Sequence, residues 1–439
     1  MFDPQKIKLD FPILQRQVNG QPLVYLDNAA TSQKPQVVIN AISNYYQQHN
    51  ANVHRGVHTL SDEATHEFEA SRATIAQFFG AQTEELILTR NATEAINGVA
   101  YGWGLDNLKF GDVILTTMME HHANIVPWQQ LCGRVGAKLE FVQVTNEGKL
   151  DLDDLETKVK QAGDKLKLIT LVHISNTLGS VNPIEQVVKL VKHQIPSTKS
   201  SQGSPSGQAK FNSQKIKYHG PLILVDGAQS APHLQVNFDK LGIDFYAFSG
   251  HKMLGPMGIG GLLVRKELLV SEVMQPWLFG GGMINEVHTN ETKFNEDLSE
   301  RFIAGTPDVA SAVGLAAACK YLKNLGMDAV EQHDRELVNY ALKALKELEA
   351  SGELKVVGPV EDRVGSVAFI HKFVHAHDVA QILDSIGVAV RSGHHCCMPL
   401  HESCGWAATV RASFQIYNEK TDVDRLVEGL EKVKKTFLV

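Results

Sequence analysis

Short apolar runs recur along this chain, and amphipathic stretches with helix-like spacing separate each run from the next. The clearest runs are Leu86 to Leu88, Val113 to Leu115, Leu168 to Val172, Leu222 to Val225 and Gly261 to Val264. Runs of this length, bounded by Gly, Asp or Asn, are typical of buried strands in a mainly parallel α/β sheet. Ligands bind beyond the carboxyl ends of such strands, so the polar residues after each run are candidate site residues.

The size and composition of the chain exclude several classes of protein. Its 439 residues suit two or three domains at roughly 100 to 200 residues each. The 42 Lys and Arg residues against 49 Asp and Glu give a net charge of -7, which argues against a general nucleic-acid binder. No apolar run approaches the ~20 residues that a membrane-spanning helix needs. The odd number of cysteines and the absence of a visible targeting signal predict a cytoplasmic protein without a disulfide framework.

The residue pattern changes after Gly305, where longer helical patterns begin. We therefore predict a second, smaller domain after about Gly305. Thr421 and Asp424 match a capping box and predict the start of the last helix. A Lys- and Ser-rich insert at about 195–220 is expected to be a solvated loop, with a docking surface as the alternative.

One lysine and one aspartate are placed as a pyridoxal-phosphate (PLP) site requires. Asp226 directly follows an apolar run, Gln229 lies three residues further on, and Lys252 lies 26 positions after the aspartate. A lysine amine can bind the cofactor aldehyde, a carboxylate can keep the pyridine nitrogen protonated, and an amide can hydrogen-bond the ring hydroxyl. The alternative for the pair alone is a surface lysine that follows an Asp-capped turn.

Residues after other runs agree with the same cofactor. Thr93 lies in a turn that opens a helix, where free N–H groups and a hydroxyl suit a phosphate, and Ser249 and His251 supply further donors. The imidazole of His121 can lie flat on a pyridine ring and exchange protons, although a lone histidine is more often structural. Asn176 can hydrogen-bond a ring oxygen or a substrate carboxylate. Four strand ends thus point to one kind of ligand.

Seven segments together carry a resemblance to a known family. They are Asp27 to Ala30, His54 to Leu60, Glu120 to Trp128, Asp226 to Gln229, Phe248 to Gly255, Ala304 to Pro307 and Arg391 to Pro399. In order and spacing they resemble the class V aminotransferase-like, fold-type I PLP enzymes, and more narrowly the group II cysteine desulfurases of the SUF iron-sulfur assembly type. The resemblance covers nearly the whole chain apart from the insert. It implies a homodimer and a large PLP-binding domain over residues 26–305 with a mainly parallel seven-stranded sheet between helices. It also implies a smaller α+β domain, formed by residues 1–25 and 306–439, that carries the catalytic Cys loop.

The resemblance also implies a role for individual residues. Lys252 would bind the cofactor covalently, Asp226 would face the pyridine nitrogen and His121 would stack on the ring. The other cofactor contacts would come from Gln229 at the ring hydroxyl, from Thr93, Ser249 and His251 at the phosphate, and from Thr306 at the phosphate of the other subunit.

The segment from Arg391 to Pro399 decides the predicted reaction. Removal of sulfur from L-cysteine needs a thiolate aimed at the substrate sulfur, and the resemblance places that thiol at Cys396. Cys397 departs from the family pattern, in which a small residue is usual, and is a spectator, a second sulfur acceptor or an oxidation-prone neighbour. Arg411 suits bidentate capture of the substrate carboxylate, with Arg391 in support.

We therefore expect a cysteine desulfurase that forms L-alanine and a persulfide on Cys396, then passes the sulfur to an acceptor of the SUF system, with no nucleic-acid or membrane partner. The alternatives are a selenocysteine lyase on the same scaffold, an enzyme for another amino acid, and a non-catalytic PLP-fold scaffold. A zinc cluster in the segment is a further alternative, but adjacent ligands suit one tetrahedral ion poorly, so no metal is predicted. Its candidate ligands are His394, His395, Cys396, Cys397, His401 and Cys404.

Overall fold

The computed structural model describes residues 2–54, 56–195 and 220–437. Its strands are β1 (Gln17–Val18), β2 (Gln21–Pro22), β3 (Val24–Tyr25), β4 (Leu86–Thr89), β5 (Val113–Thr117), β6 (Lys138–Val142), β7 (Leu166–Val172), β8 (Leu222–Asp226), β9 (Phe245–Ser249), β10 (Gly260–Val264), β11 (Ile284–Val287), β12 (Thr292–Phe294), β13 (Leu354–Val357), β14 (Ser366–His371), β15 (Val388–Ala389), β16 (Arg391–Gly393) and β17 (Thr409–Ser413).

Helices connect most of these strands. They are α1 (Pro4–Leu9), α2 (Gln36–Asn44), α3 (Thr59–Phe78), α4 (Ala92–Val99), α5 (Leu105–Asn107), α6 (Val126–Val135), α7 (Leu152–Ala162), α8 (Ile184–Gln194), α9 (Phe238–Leu241), α10 (Lys266–Val270), α11 (Leu298–Arg301), α12 (Val309–Leu325), α13 (Met327–Ala350), α14 (Ala376–Asp384), α15 (Met398–Cys404) and α16 (Lys420–Phe437). Short 3-10 turns at His122–Asn124 and Gly250–Lys252 belong to the candidate site.

A seven-stranded sheet in the order β4-β10-β9-β8-β7-β5-β6 forms the centre of the described structure. The neighbours from β9 to β6 run parallel, and β10 runs antiparallel to both β9 and β4. Every residue of β5, β8, β9 and β10 is buried, as the short apolar runs predict. The predicted mainly parallel α/β sheet is confirmed.

Helices cover both faces of this sheet. Consecutive strand residues point to opposite faces, and Leu224 and Val225 accordingly belong to two different apolar clusters. The register pairs Val172 with Asp226 and Asp226 with Ala247, so β7, β8 and β9 end at the same edge. The loops that follow these strands therefore converge on one place, which is where the candidate site lies.

A smaller antiparallel sheet in the order β13-β14-β17-β16 lies in the carboxyl-terminal part of the described chain. Its apolar cluster includes Val24 and Leu26, and β3 pairs in parallel with β15. The chain start thus joins the smaller sheet, whereas α12 contributes Leu315 to the core cluster on one face of the large sheet. The domain bounds at 25/26 and 305/306 stay a prediction.

The start of α16 differs from the position that the sequence predicts. The backbone N–H of Glu419 donates to Oδ2 of Asp422 at 3.1 Å and α16 begins at Lys420, so the cap predicted at Thr421 is wrong. The observed capping contact thus lies two residues before the predicted one. The Lys- and Ser-rich insert lies mainly at 196–219, outside the described residues. None of the helices in the described ranges is both long and apolar enough to cross a membrane.

Candidate active site

A cavity of about 540 Å³ opens at the edge where β7, β8 and β9 end. The predicted site residues that line it are Thr93, His121, Asn176, Asp226, Gln229, Ser249, His251, Lys252, Arg391, Cys396 and Arg411. Thr306 does not line the cavity of its own chain and lies exposed in the segment before α12. The side chains come from both the large sheet and the smaller one.

Lys252 and Asp226 both line this cavity, and each shifts the pKa of the other. Burial lowers the pKa of the lysine, and the field of Asp226 opposes that shift. Asp226 is 3% exposed, and burial raises its pKa while the N–H of Ala228, at 2.9 Å from Oδ1, and the charge of Lys252 act in the other direction. The cavity therefore holds an amine and a carboxyl group whose charged forms are both disfavoured by burial, while the charge of each favours the charged form of the other.

The chain after Asp226 passes very close to Tyr246. A Cβ at Gly227 would lie 2.0 Å from Cζ of that tyrosine, so only glycine fits there. Beyond this turn, Nε2 of Gln229 donates to the carbonyl of Ala29 at 2.8 Å. This contact joins the end of β8 to the Asp27-to-Ala30 segment and holds Gln229 at the cavity wall.

The imidazole of His121 is neutral. Its Nδ1 accepts the N–H of Ala123 at 3.0 Å, which places the ring proton on Nε2. Burial, with the charge of Lys252 adding to it, lowers the pKa of His121 to about 3. A neutral aromatic ring with one donor nitrogen suits stacking on a flat cofactor and hydrogen bonding to it.

Polar groups at the other end of the cavity suit a phosphate. The N-terminus of α4 lines the cavity at Thr93, and Oγ of Ser249 accepts the N–H of Ala92 at 2.9 Å. Because Ser249 accepts in that bond, its own hydroxyl proton is available to an anion. Burial lowers the pKa of His251 to about 4, so its ring acts as a neutral donor. The donor set fits the phosphate of PLP.

The turn that carries Cys396 has an unusual backbone. His395 and Cys396 have φ of 51° and 57°, and the N–H of Cys397 donates to the carbonyl of His394 at 2.8 Å. Non-glycine residues in the left-handed region cost about 1–3 kcal/mol each and persist only when neighbouring groups hold them. Nδ2 of Asn176 holds this turn by donating to the carbonyl of His395 at 2.8 Å. The result is a Cys396 side chain that is exposed and lines the cavity.

Cys397 lies in the opposite environment. It is 0% exposed, and its thiol donates to Oδ1 of Asn176 at 3.1 Å. Burial raises the pKa of this thiol to about 12. The adjacent cysteines therefore differ in access to the cavity, and Cys397 is a neutral hydrogen-bond donor.

Two arginines that line the cavity share the carboxylate of Asp27. The guanidinium of Arg391 donates to both oxygens of Asp27, and its NH2 lies 2.9 Å from Oδ2. Arg411 is 2% exposed, donates to the carbonyl of Asn176 at 2.8 Å and lies 3.3 Å from Oδ1 of Asp27. Its Nε is buried and has no partner among the described residues. The set carries one positive charge more than negative, which suits a carboxylate ligand.

Asp27 and His122 have no role predicted from the sequence. Both residues lie inside quoted motifs, Asp27 to Ala30 and Glu120 to Trp128, and that position was the available signal. The structure shows that Asp27 pairs with the two arginines and that His122 contacts the Cys396 turn at two points.

The described residues form no group of three or more His, Cys, Asp or Glu side chains suited to a metal ion. In the predicted alternative cluster, Nδ1 of His401 bonds the carbonyl of Cys397, Nε2 of His395 bonds Thr409, and the thiol of Cys397 bonds Asn176. Three of the six candidate ligands, His395, Cys397 and His401, are therefore engaged in hydrogen bonds within the protein.

The chain matches a known protein family over most of its length. The family described as Aminotransferase class-V matches residues 24–199 and 208–426. The chain therefore belongs to the class V aminotransferase family. Within it, the chain is 46% identical to a probable cysteine desulfurase of Halalkalibacterium halodurans and 42% identical to a cysteine desulfurase of Haloferax volcanii. These alignments cover 99% of this chain and 99% and 98% of the respective relatives.

Solved structures agree over the full length. An apo cysteine desulfurase from Thermococcus onnurineus superposes with a TM-score of 0.87 at 39% identity, covering 100% of this chain and 99% of the other. The cysteine desulfurase CsdA of Escherichia coli, solved in an S-sulfonic acid form, gives a TM-score of 0.85 at 32% identity, with 100% of both chains covered. The particular relatives that this chain resembles are thus desulfurases.

Proposed function

We propose that this chain is a PLP-dependent cysteine desulfurase in which Cys396 receives the sulfur of L-cysteine. The observation that carries the proposal is that the exposed thiol of Cys396 lines the same cavity as Lys252 and Asp226. The names of the full-length relatives support the same activity. They also favour cysteine over the selenocysteine lyase alternative.

The cavity residues divide between the cofactor and the substrate. Lys252 would bind PLP covalently, Asp226 would face its pyridine nitrogen, and His121 would stack on the ring. Gln229 would reach the ring hydroxyl, and the phosphate would bind at Thr93, Ser249 and His251. When bound, PLP supplies an electron sink for the substrate carbon.

The remaining residues orient L-cysteine and move its protons. Arg411, supported by Arg391, would bind the carboxylate, because this end of the cavity carries excess positive charge. Asn176 borders the same region through its contact with Arg411. Lys252 is placed to accept the α-proton, since burial lowers its pKa and favours a free amine.

Cys396 completes the reaction at the substrate sulfur. Its thiolate attacks that sulfur, so a sulfur–sulfur bond forms and the bond between the sulfur and Cβ breaks. The electron pair of the broken bond stays on the carbon fragment, which takes up one proton at Cβ, regains the α-proton from Lys252 and leaves as L-alanine. The enzyme keeps the transferred sulfur as a persulfide, and no external oxidant or reductant is needed.

Replacement of Cys396 by Ala tests this assignment. We expect the variant to lose alanine formation from L-cysteine, and wild-type protein to gain one sulfur on the peptide that contains Cys396. Cys404→Ala is the matched control, because Cys404 is also exposed and lies in α15 near the same loop. Full alanine formation by Cys396→Ala would contradict the role of this thiol.

Two further assays separate the alternatives. Turnover of L-selenocysteine with no turnover of L-cysteine would favour the lyase. A Lys252→Ala variant that keeps its biological role would favour a non-catalytic scaffold. We expect the wild type to act on L-cysteine and Lys252→Ala to lose the activity, because the variant removes the amine that would bind the cofactor.

We also propose a homodimer. Thr306 is exposed and outside the cavity of its own chain, so it would reach a phosphate only in another copy. The neighbouring N–H of Gly305 donates to the carbonyl of Gly281 at 2.7 Å, which ties this loop to a segment with Leu278 and Phe279 exposed. Such exposed apolar side chains suit a subunit contact. Phe279→Asp should shift the mass measured by light scattering from dimer to monomer.

We propose that the persulfide on Cys396 passes to an acceptor protein of the SUF system for iron-sulfur assembly in the cytoplasm. The exposure of Cys396 supports transfer to a second protein. Incubation with isotopically labelled L-cysteine and a SUF acceptor should move the label to the acceptor, and no transfer would contradict this step.

A further inference from the structure

His122 contacts the loop that carries Cys396 at two points. Its backbone N–H donates to the carbonyl of Cys396 at 2.7 Å. Its side-chain Nε2 accepts the backbone N–H of Met398 at 3.1 Å. One histidine therefore holds the backbone on both sides of Cys397.

The second contact supplies a cap that the loop lacks. Met398 is the first residue of α15, and the side chain of the N-cap residue Cys397 makes no capping hydrogen bond. The first N–H groups of a helix have no partner within it, so an external acceptor is needed. The imidazole of His122 provides this acceptor from the segment after β5.

The direction of this bond defines the state of the ring. Because Nε2 accepts, His122 is neutral and carries its proton on Nδ1. Burial, together with the charge of His394, lowers the pKa of His122 and favours this neutral form. The ring is therefore suited to remain an acceptor in the ordinary range of enzyme assays.

The backbone that His122 holds is the strained part of the turn. His395 and Cys396 both have positive φ, and such residues keep this conformation only when contacts around them require it. Asn176 bonds the carbonyl of His395, and His122 bonds the carbonyl of Cys396. Both contacts hold backbone carbonyls of the turn that carries the Cys396 side chain.

We propose that His122 is a positioning residue for the Cys396 thiol, acting through the imidazole cap on Met398 and the bond to the Cys396 carbonyl. The inference rests on the proposed role of Cys396. It divides the work of adjacent histidines: His121 faces the cofactor site, and His122 sets the loop of the nucleophile. The segment from Glu120 to Trp128 thus links the two.

The test compares two substrates in the holoenzyme. His122→Leu removes the acceptor, and His122→Gln retains one near the same place. With L-cysteine, we expect His122→Leu to lower kcat by about tenfold, the size expected for one lost hydrogen bond, and His122→Gln to restore most of it. With β-chloro-L-alanine, whose chloride leaves without help from a thiol, both variants should equal the wild type.

Other results would overturn the inference. An unchanged kcat of His122→Leu on L-cysteine would do so, as would equal losses on both substrates, because the latter would indicate general damage to the site. His122→Phe keeps a ring without an acceptor and replaces the Leu variant if that protein does not fold. Cys396→Ala separates the two proposals: if it is active on L-cysteine, the role of Cys396 fails and the inference falls with it; if it is inactive while His122→Leu is unimpaired, only the inference fails.

Discussion

The thiol of Cys397 donates a hydrogen bond to Oδ1 of Asn176 at 3.1 Å, and the amide of the same Asn176 donates to the carbonyl of His395 at 2.8 Å. Cys397 therefore helps to fix the orientation of an amide that holds the turn carrying Cys396. This contact gives the second cysteine of the pair a structural role that does not require a thiolate. It favours the spectator interpretation of Cys397 over a second sulfur acceptor.

We predict that Cys397 takes up no sulfur during turnover. At about pH 8, a thiol with a pKa of about 12 is ionised to about one part in ten thousand, and the thiolate is the reactive form. Peptide mass analysis after incubation with L-cysteine should find the added sulfur on Cys396 alone, and Cys396→Ala protein should carry none. Cys397→Ser, which keeps a donor, should retain activity. A persulfide on Cys397 would refute the prediction.

Arg411 and Arg391 offer a matched pair of substitutions at the substrate end of the cavity. Arg411 is buried and its Nε has no partner among the described residues, whereas the side chain of Arg391 is half exposed and both its Nε and NH2 donate to Asp27. We predict that Arg411→Lys raises the KM for L-cysteine by about tenfold or more, because lysine keeps the charge but loses the planar fork. Arg391→Lys should raise KM less.

Steady-state kinetics on cofactor-saturated protein check this order. A fall in kcat without a change in KM for Arg411→Lys would indicate that the guanidinium acts later than substrate binding. A larger KM effect for Arg391→Lys would move the carboxylate site to that residue.

Glu120 is a buried acid beneath the cofactor site. Its side-chain oxygens form hydrogen bonds with Oγ1 of Thr117 at 2.5 Å, Nδ2 of Asn124 at 2.6 Å and the N–H of Val172 at 3.0 Å. Burial raises the pKa of Glu120 to about 8, and repulsion by Asp226 adds to the shift. The folded protein therefore keeps a proton between about pH 4.5 and about pH 8 that the unfolded chain releases.

We predict that Glu120 makes stability fall with rising pH in this window. The stabilising contribution is complete below about pH 4.5 and is lost as the pH rises through about 8. The free energy of unfolding falls by a few kcal/mol in order of magnitude over this window. Glu120→Gln does not titrate, so wild type should lose stability relative to this variant as pH rises. Thermal midpoints at fixed ionic strength measure the difference, with the exposed Glu347→Gln as control. A difference that is constant with pH would contradict the prediction.

The main elements of the fold follow from local patterns. The apolar runs at 113–115, 168–172 and 222–225 lie within β5, β7 and β8, because strands buried on both faces need apolar residues at every position. The start of α16 shows the limit of this reasoning. The box predicted at Thr421 is wrong, and the N–H of Glu419 donates to Asp422 instead.

The sequence by itself determined the mainly parallel sheet and the residue types of the site, because strand burial and cofactor chemistry each demand particular side chains at particular strand ends. Only the tertiary structure decided which groups meet. Asp27 and Arg411 are 384 positions apart, and His122 reaches Met398 across 276. The difference between Cys396 and Cys397 also arises in three dimensions, since a turn with two positive φ values exposes one thiol and buries the next. Pairing at such distances depends on how the two sheets pack, which no local pattern records.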